Sequence, residues 1–391
     1  MPALPAVRRT CVLALGAAGL VGLLIGLQAL TPEFINGTGG KWVRPENDYN
    51  AYLVAWHYYV SDTWRLPLFS LPAMGYPEGG SVLFNDALPL TALPSKVIYQ
   101  LTGVLINPFG WWILLTYVLQ GVMAAKVMLS VGVRSVAASV AAAALAVVAT
   151  SFVARMGHTA LSSHFLLLWA ISVYFSSLRQ HRAKPAECTA LLAVTLLTNA
   201  YLFAMVFALV VATAFALWVR RQLDLRAAGY LGLGMVGVAA LGVFAGYGLV
   251  ISNPTTMKSE GFGRFSWNLV SLLLPPQGFF GIASNITRDA THGQYEGEAY
   301  IGMGALLLLV VATVSAPKEV LAGVRRHWIL WALLVGVPLK FLLLAWTYED
   351  GRGWLVLRAR LAGRVPARSK PHRGARIVGR AMMSGAARGY P

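Results

Sequence analysis

Asp48 is the acid best placed for chemistry. It stands in Glu46-Asn47-Asp48-Tyr49-Asn50, shortly after the first long apolar block, and the aromatic run Trp56-His57-Tyr58-Tyr59 follows it. A carboxylate there could accept a proton from a sugar hydroxyl, or hold a divalent metal ion between itself and a phosphate. The rings could stack on a sugar or lie at a membrane interface, where Trp and Tyr collect without any catalytic role. A second acid, Asp86, sits in Asn85-Asp86-Ala87-Leu88-Pro89. A third group is Arg155-Met156-Gly157-His158, with His164 beyond it. Arginine suits a phosphate because its fork of N–H donors meets the oxygens in pairs. His164 falls about one turn into an apolar block, where an ionisable side chain is costly and therefore a functional candidate. Glu296 belongs to a fourth polar patch, residues 252–298. Taken singly, each residue is also what a solvated loop or a hydrogen-bonded structural histidine would supply. The candidacy rests on four separate loops converging on one face, as binding sites on helical scaffolds do.

The elements that must bring them together are apolar. Of the 391 residues 57% are hydrophobic and 12% charged, with a mean hydropathy of +0.62. A soluble chain carries roughly a quarter charged residues. Many apolar blocks run to about 17–25 residues, the length that crosses a hydrocarbon core of ~30 Å. The fold class is therefore an all-α polytopic membrane protein. The first block, residues 11–30, follows Arg8 and Arg9 and reads as a retained span, since no small-x-small cleavage site comes after it. Further spans are expected at residues 111–130, 136–153, 160–178, 227–251, 299–316 and 328–346. Residues 88–105, interrupted by Pro89 and Pro94 and holding Lys96, read as a re-entrant or juxtamembrane helix. The apolar stretch 186–219 would be about 50 Å long as one helix at ~1.5 Å per residue, too long for one span. Asn199 near its middle splits it in two, giving about nine spans.

Charge supplies a test of that count. With nine spans and the N-terminus in the cytoplasm, Arg8/Arg9, Lys126/Arg134, Arg179/Arg182/Lys184, Arg220/Arg221/Arg226 and Lys318/Arg325/Arg326 all face inward, as the positive-inside rule requires. Outer loops at residues 31–110 and 252–298 then collect ten of the fifteen acids. The net charge of +17 is thus spread over topology signals and a tail, which excludes a nucleic-acid partner and leaves membrane lipid. Cys11 and Cys188 make neither a disulfide framework nor a zinc site. Gly232-Leu-Gly-Met-Val-Gly237 matches the dinucleotide-binding spacing but lies inside an apolar span, so with Gly242 and Gly246 it reads as close helix packing. Walker A, HExxH and CxxC patterns are missing from the sequence.

Several stretches together resemble a bacterial family of uncharacterised multi-pass membrane proteins, itself similar to the GT-C glycosyltransferases. They are Asn47-Asp48-Tyr49, Tyr76-Pro77-Glu78-Gly79, Asn85-Asp86-Ala87-Leu88-Pro89-Leu90, Arg155-Met-Gly-His158-Thr-Ala-Leu-Ser-Ser-His164, Gly261-Phe-Gly-Arg-Phe-Ser-Trp-Asn268 and Gly293-Gln-Tyr-Glu-Gly-Glu-Ala-Tyr-Ile-Gly302. The resemblance implies a GT-C-like domain over residues 1–346, a polyprenyl-phosphate-linked sugar donor, and transfer on the outer face of the bacterial inner membrane. It puts Asp48 in the place of the acid borne by the first outer loop. Asp86, Arg155, His158, His164 and Glu296 are then expected to bind substrate, with a divalent metal at Asp48 as the one cofactor these residues suggest. Thr198-Asn199-Ala200-Tyr201 departs from the His-Pro-Tyr-like turn expected there.

Two other readings remain open: a transporter or flippase of a lipid-linked saccharide, and a truncated, non-catalytic member. The last arises from residues 347–391. From residue 351 on they hold nine Arg, one Lys, seven Gly and no acid. That composition suggests disorder. It reads either as a tail bound to anionic headgroups or, as preferred here, as out-of-frame translation of GC-rich DNA.

Overall fold

Small residues set how the first helices pack. The computed structural model describes residues 4–44, 48–77, 79–248 and 300–335, all within a unit spanning Met1–Lys340. Helix α1 (Leu4–Ala29) leads through the short α2 (Pro32–Ile35), a 3-10 turn (Gly40–Trp42) and α3 (Asp48–Ser61) to a two-stranded hairpin. In it β1 (Ser70–Leu71) pairs antiparallel with β2 (Gly80–Ser81). Helix α4 (Pro89–Thr102) follows, then α5 (Phe109–Val131), α6 (Val136–Val147), α7 (Thr150–Val153) and α8 (Phe165–Gln180). After them come α9 (Pro185–Leu196), α10 (Ala200–Val219), α11 (Leu225–Ala245), α12 (Met303–Ser315) and α13 (Pro317–Arg326), with residues 328–335 again helical.

Glycines let α1 and α5 approach backbone to backbone. A Cβ on Gly22 would run into the Tyr117 carbonyl, one on Gly121 into the Ala18 carbonyl, and one on Gly26 would lie 2.9 Å from Leu114 Cδ1. Rising numbers in α1 meet falling numbers in α5, so the two run antiparallel. Ala18, Ala125 and Ala143 close the junction with α6, the small-residue packing that membrane helices favour. The glycines of α11 behave as expected only in part: Gly234 presses on Thr189 of α9 and Gly242 lies by Leu196, while Gly232 and Gly237 have nothing against them.

The apolar run 186–219 does break where its length demands. α9 ends at Leu196 and α10 begins at Ala200, and Asn199 caps α10 by accepting from the Tyr201 and Leu202 N–H groups at 2.9 and 3.2 Å. A capping side chain satisfies helix-start donors that a continuous helix would not expose. The segment expected at residues 88–105 is α4, with Pro94 inside it. Lys96, 2% exposed, sends Nζ over the Tyr59 ring at 4.3 Å and to the Thr63 carbonyl at 3.0 Å, fastening α4 to the end of α3.

Four stretches are long and apolar enough to cross a membrane: Val7–Ala29 within α1, then α5, α10 and α11. A fifth results if α12 and α13, bent by 107°, count as one. By that measure the described residues form a helical membrane protein with four or five candidate spans, where about nine were expected over the whole chain. The difference lies in short helices. α6 and α9 have 12 residues each, and α8 has 16. The block expected at 136–153 is interrupted before α7, and the one expected at 160–178 starts late, at Phe165.

Candidate functional site

Helix α3 carries Asp48 in its first turn, exposed. Tyr49, the next residue, and Tyr52, one turn on, reach the loop between α7 and α8. The Tyr49 hydroxyl donates to the Met156 carbonyl at 2.6 Å, and the Tyr52 hydroxyl lies 3.0 Å from His158 Nδ1. The Tyr49 ring is itself held between Phe34 and Trp42, at centroid distances of 5.4 and 4.9 Å. Of the aromatic run after Asp48, Trp56 and Tyr59 are core residues against Phe109 and Phe69. They are not a stacking surface for a sugar; His57 and Tyr58 are the exposed members.

The second acid arrives on a constrained turn. Asp86 and Leu88 both adopt left-handed backbone conformations, φ +48° and +51°, which non-glycine residues hold only where the surroundings enforce them. The enforcement is visible on both sides. The Asn85 amide donates to the Ser81 carbonyl at 2.9 Å. The Leu90 N–H donates to the Leu197 carbonyl at 2.8 Å, docking the turn on the break between α9 and α10. There the Asn199 amide donates to Asp86 Oδ1 at 2.9 Å. Asp86 Oδ2 faces His158 Nδ1 at 3.9 Å, with the two side chains 20% and 29% exposed. Burial raises the Asp86 carboxyl above its ordinary value; His158 and the Asn199 bond oppose this, and the charge of Asp48 adds to it.

Asp86 and His158 thus face each other at one end of the helices, with Tyr52 and Asn199 beside them and Asp48 near enough for its charge to act on Asp86. Arg155 and His164 form a neighbouring pair. His164 lies in the loop just before α8 rather than one turn inside a helix. Burial and the Arg155 guanidinium push it down to about 4, so it is neutral at physiological pH and fits a structural role. Glu296, with the rest of residues 252–298, and residues 347–391 lie outside the described residues. Among the described residues no three His, Cys, Asp or Glu side chains come together to hold a metal ion. Asn199 and Tyr52 are the site residues that sequence reasoning did not select. Each left a signal: Asn199 is a polar residue in the middle of an apolar run, and Tyr52 is one helical turn from Asp48.

The basic clusters collect at the other end. Arg179 at the end of α8 donates to the Leu129 carbonyl at the end of α5 at 3.0 Å. Glu187 at the start of α9 accepts from Lys126 at 2.7 Å and from the Trp169 indole at 2.8 Å, with Lys184 at 3.5 Å. Arg220 at the end of α10 donates to the Arg326 carbonyl at 2.6 Å. Arg179, Lys126, Lys184 and Arg220 are each tied to a helix end or to an acid.

No curated protein and no solved structure matches the chain. Residues 19–361 match the family described as a domain of unknown function, DUF6311, and the chain belongs to that family.

Proposed function

We propose that this protein transfers a sugar from a polyprenyl-phosphate-linked donor on the outer face of the bacterial inner membrane. The observation that carries the reading is the facing pair of Asp86 and His158, with Asp48 nearby, at the end of the helices opposite the basic clusters. Acids and histidine converging from separate loops form a site; cations gathered at the far end are what the positive-inside rule collects in the cytoplasm. A GT-C-like topology of nine spans with the N-terminus inside agrees with the way Arg179, Lys126/Lys184, Arg220 and Arg326 share one end. The 12-residue α9 before Asn199 then counts as a span beside the 20-residue α10.

In this reading Asp48 takes the proton of the acceptor hydroxyl, being exposed and so reachable by a substrate. Arg155 and His158 hold the phosphate of the donor. A flippase would place ionisable groups near the middle of its spans; here they sit at helix ends, which favours transfer. Two measurements test the reading. Reporter fusions after Gly79 should report the periplasm, and fusions after Arg221 the cytoplasm. The full chain in proteoliposomes should release labelled sugar from undecaprenyl phosphate carrying glucose, mannose or arabinose. A periplasmic signal after Arg221, or no release from any of the three donors, would contradict it.

A further inference from the structure

Asp86 was expected to touch substrate, but a carboxylate is an acceptor and cannot bond to a phosphate unless it carries a proton. Its surroundings suit the protonated form. Oδ1 already accepts the Asn199 amide at 2.9 Å. Oδ2 has no hydrogen-bond donor among the described residues, and its nearest ionisable neighbour, His158 Nδ1, stands at 3.9 Å, beyond hydrogen-bond reach. An ionised carboxylate offers about four lone-pair sites and is usually met by several donors; a neutral acid needs one donor on its carbonyl oxygen and offers O–H from the other. The carboxyl is largely buried and has Asp48 near enough for its charge to oppose a second one, and these two features favour the neutral acid.

The backbone fixes this arrangement. Left-handed φ at Asp86 and Leu88 shapes the turn, and the Leu90–Leu197 bond holds it against the break between α9 and α10. Asn199 is committed on both sides, its oxygen to the start of α10 and its nitrogen to Asp86. It therefore cannot turn to offer Asp86 a different atom. The groups that face Asp86 are Asp48 from α3, His158 from the loop before α8, and Asn199 from the start of α10. Tyr52 stands behind His158.

We propose that Asp86 works as a neutral acid that gives its Oδ2 proton to the phosphate oxygen released when the sugar–phosphate bond breaks, with Asn199 as the positioning residue that leaves Oδ2 to carry that proton. The inference rests on the transfer reading above. In the step, the acceptor oxygen forms a bond to the sugar C1 and its proton passes to Asp48. The C1–O bond to the phosphate breaks and its electron pair stays on the phosphate oxygen. That oxygen takes the proton from Asp86. Asp48 ends protonated and Asp86 ionised, and the two are restored by proton exchange with solvent. Two carboxylates whose environments differ, one exposed and one largely buried, divide the base and acid roles between them.

The test uses the full chain in two assays. The first is thermal melting of wild type, Asp86→Asn and Asn199→Ala against pH, which reads the proton without any substrate. The folded protein holds the Asp86 proton to a higher pH than the unfolded chain. Stability therefore falls as pH rises from the ordinary carboxylate value to the raised folded value, then levels. Asp86→Asn should remove that fall. Asn199→Ala should extend it to higher pH, because a bond favouring the charged form is gone. The second assay is sugar release from undecaprenyl phosphate carrying glucose, mannose or arabinose, in proteoliposomes. Asp86→Asn should lose on the order of 10²-fold or more in rate and the alkaline fall of the pH profile with it. Asn199→Ala should keep that fall but move it to higher pH. Release by Asp86→Asn within threefold of wild type, or identical melting slopes for wild type and Asp86→Asn, would overturn the proposal. Failure of wild type to release any of the three sugars, with the Asp86-dependent melting slope present, would instead overturn the transfer reading and the proton's destination with it.

Discussion

Glu187 and Asp86 are carboxylates at opposite ends of the same helices, and they are treated in opposite ways. Glu187 meets Lys126, Trp169 and Lys184, which ties α5, α8 and α9 together. Asp86 meets one amide and a histidine at 3.9 Å, on a turn with left-handed φ at Asp86 and Leu88. The first arrangement minimises the energy of a charge; the second, largely buried beside a second acid, opposes one. Structural acids are saturated with donors, and acids poised for chemistry are left short of them.

The largest effect that can break this comparison is on rate. Asp48→Asn should lower sugar release by on the order of 10²–10⁴-fold and leave melting little changed, because the exposed carboxylate adds little to packing. Next comes stability at the far end. Glu187→Gln should lower stability by about 1–2 kcal/mol, less than a fully buried pair would lose because Lys126 is 34% exposed, and leave the rate per folded molecule unchanged. Asn199→Ala should cost about 1 kcal/mol through the lost α10 cap, and differs from Glu187→Gln in also moving the pH profile. Tyr52→Phe is the smallest change, about 0.5–1.5 kcal/mol for one hydrogen bond to His158. A rate loss from Glu187→Gln, or none from Asp48→Asn, would erase the distinction between the two ends.

How far the sequence discloses this arrangement depends on the range of the signal. The length of the run 186–219 and the one polar residue inside it are local facts, and they place the break at Asn199 correctly. Asp48, Asp86 and His158 are legible as residue types in polar loops. Their nearness is not, because the bonds that assemble them, Tyr49 to Met156 and Asn199 to Asp86, join positions more than a hundred apart. Apolarity predicts that a segment avoids water but not whether it serves a sugar or the core, and so it misplaces Trp56 and Tyr59. It likewise sets His164 inside a helix that begins one residue later. The count of spans turns on a related point: α6, α8 and α9 are apolar but short, with α6 starting at the Ser135 cap and α9 ending just before the Asn199 cap of α10.

The central claim is that the carboxylate end works and the basic end holds. The direct measurement is sugar release from undecaprenyl-phosphate donors by Asp48→Asn and Glu187→Gln, each reconstituted at equal amounts of folded protein beside wild type. The account predicts a loss of at least 10²-fold for Asp48→Asn and a rate within threefold of wild type for Glu187→Gln. Equal losses in the two variants, or a loss confined to Glu187→Gln, would contradict it.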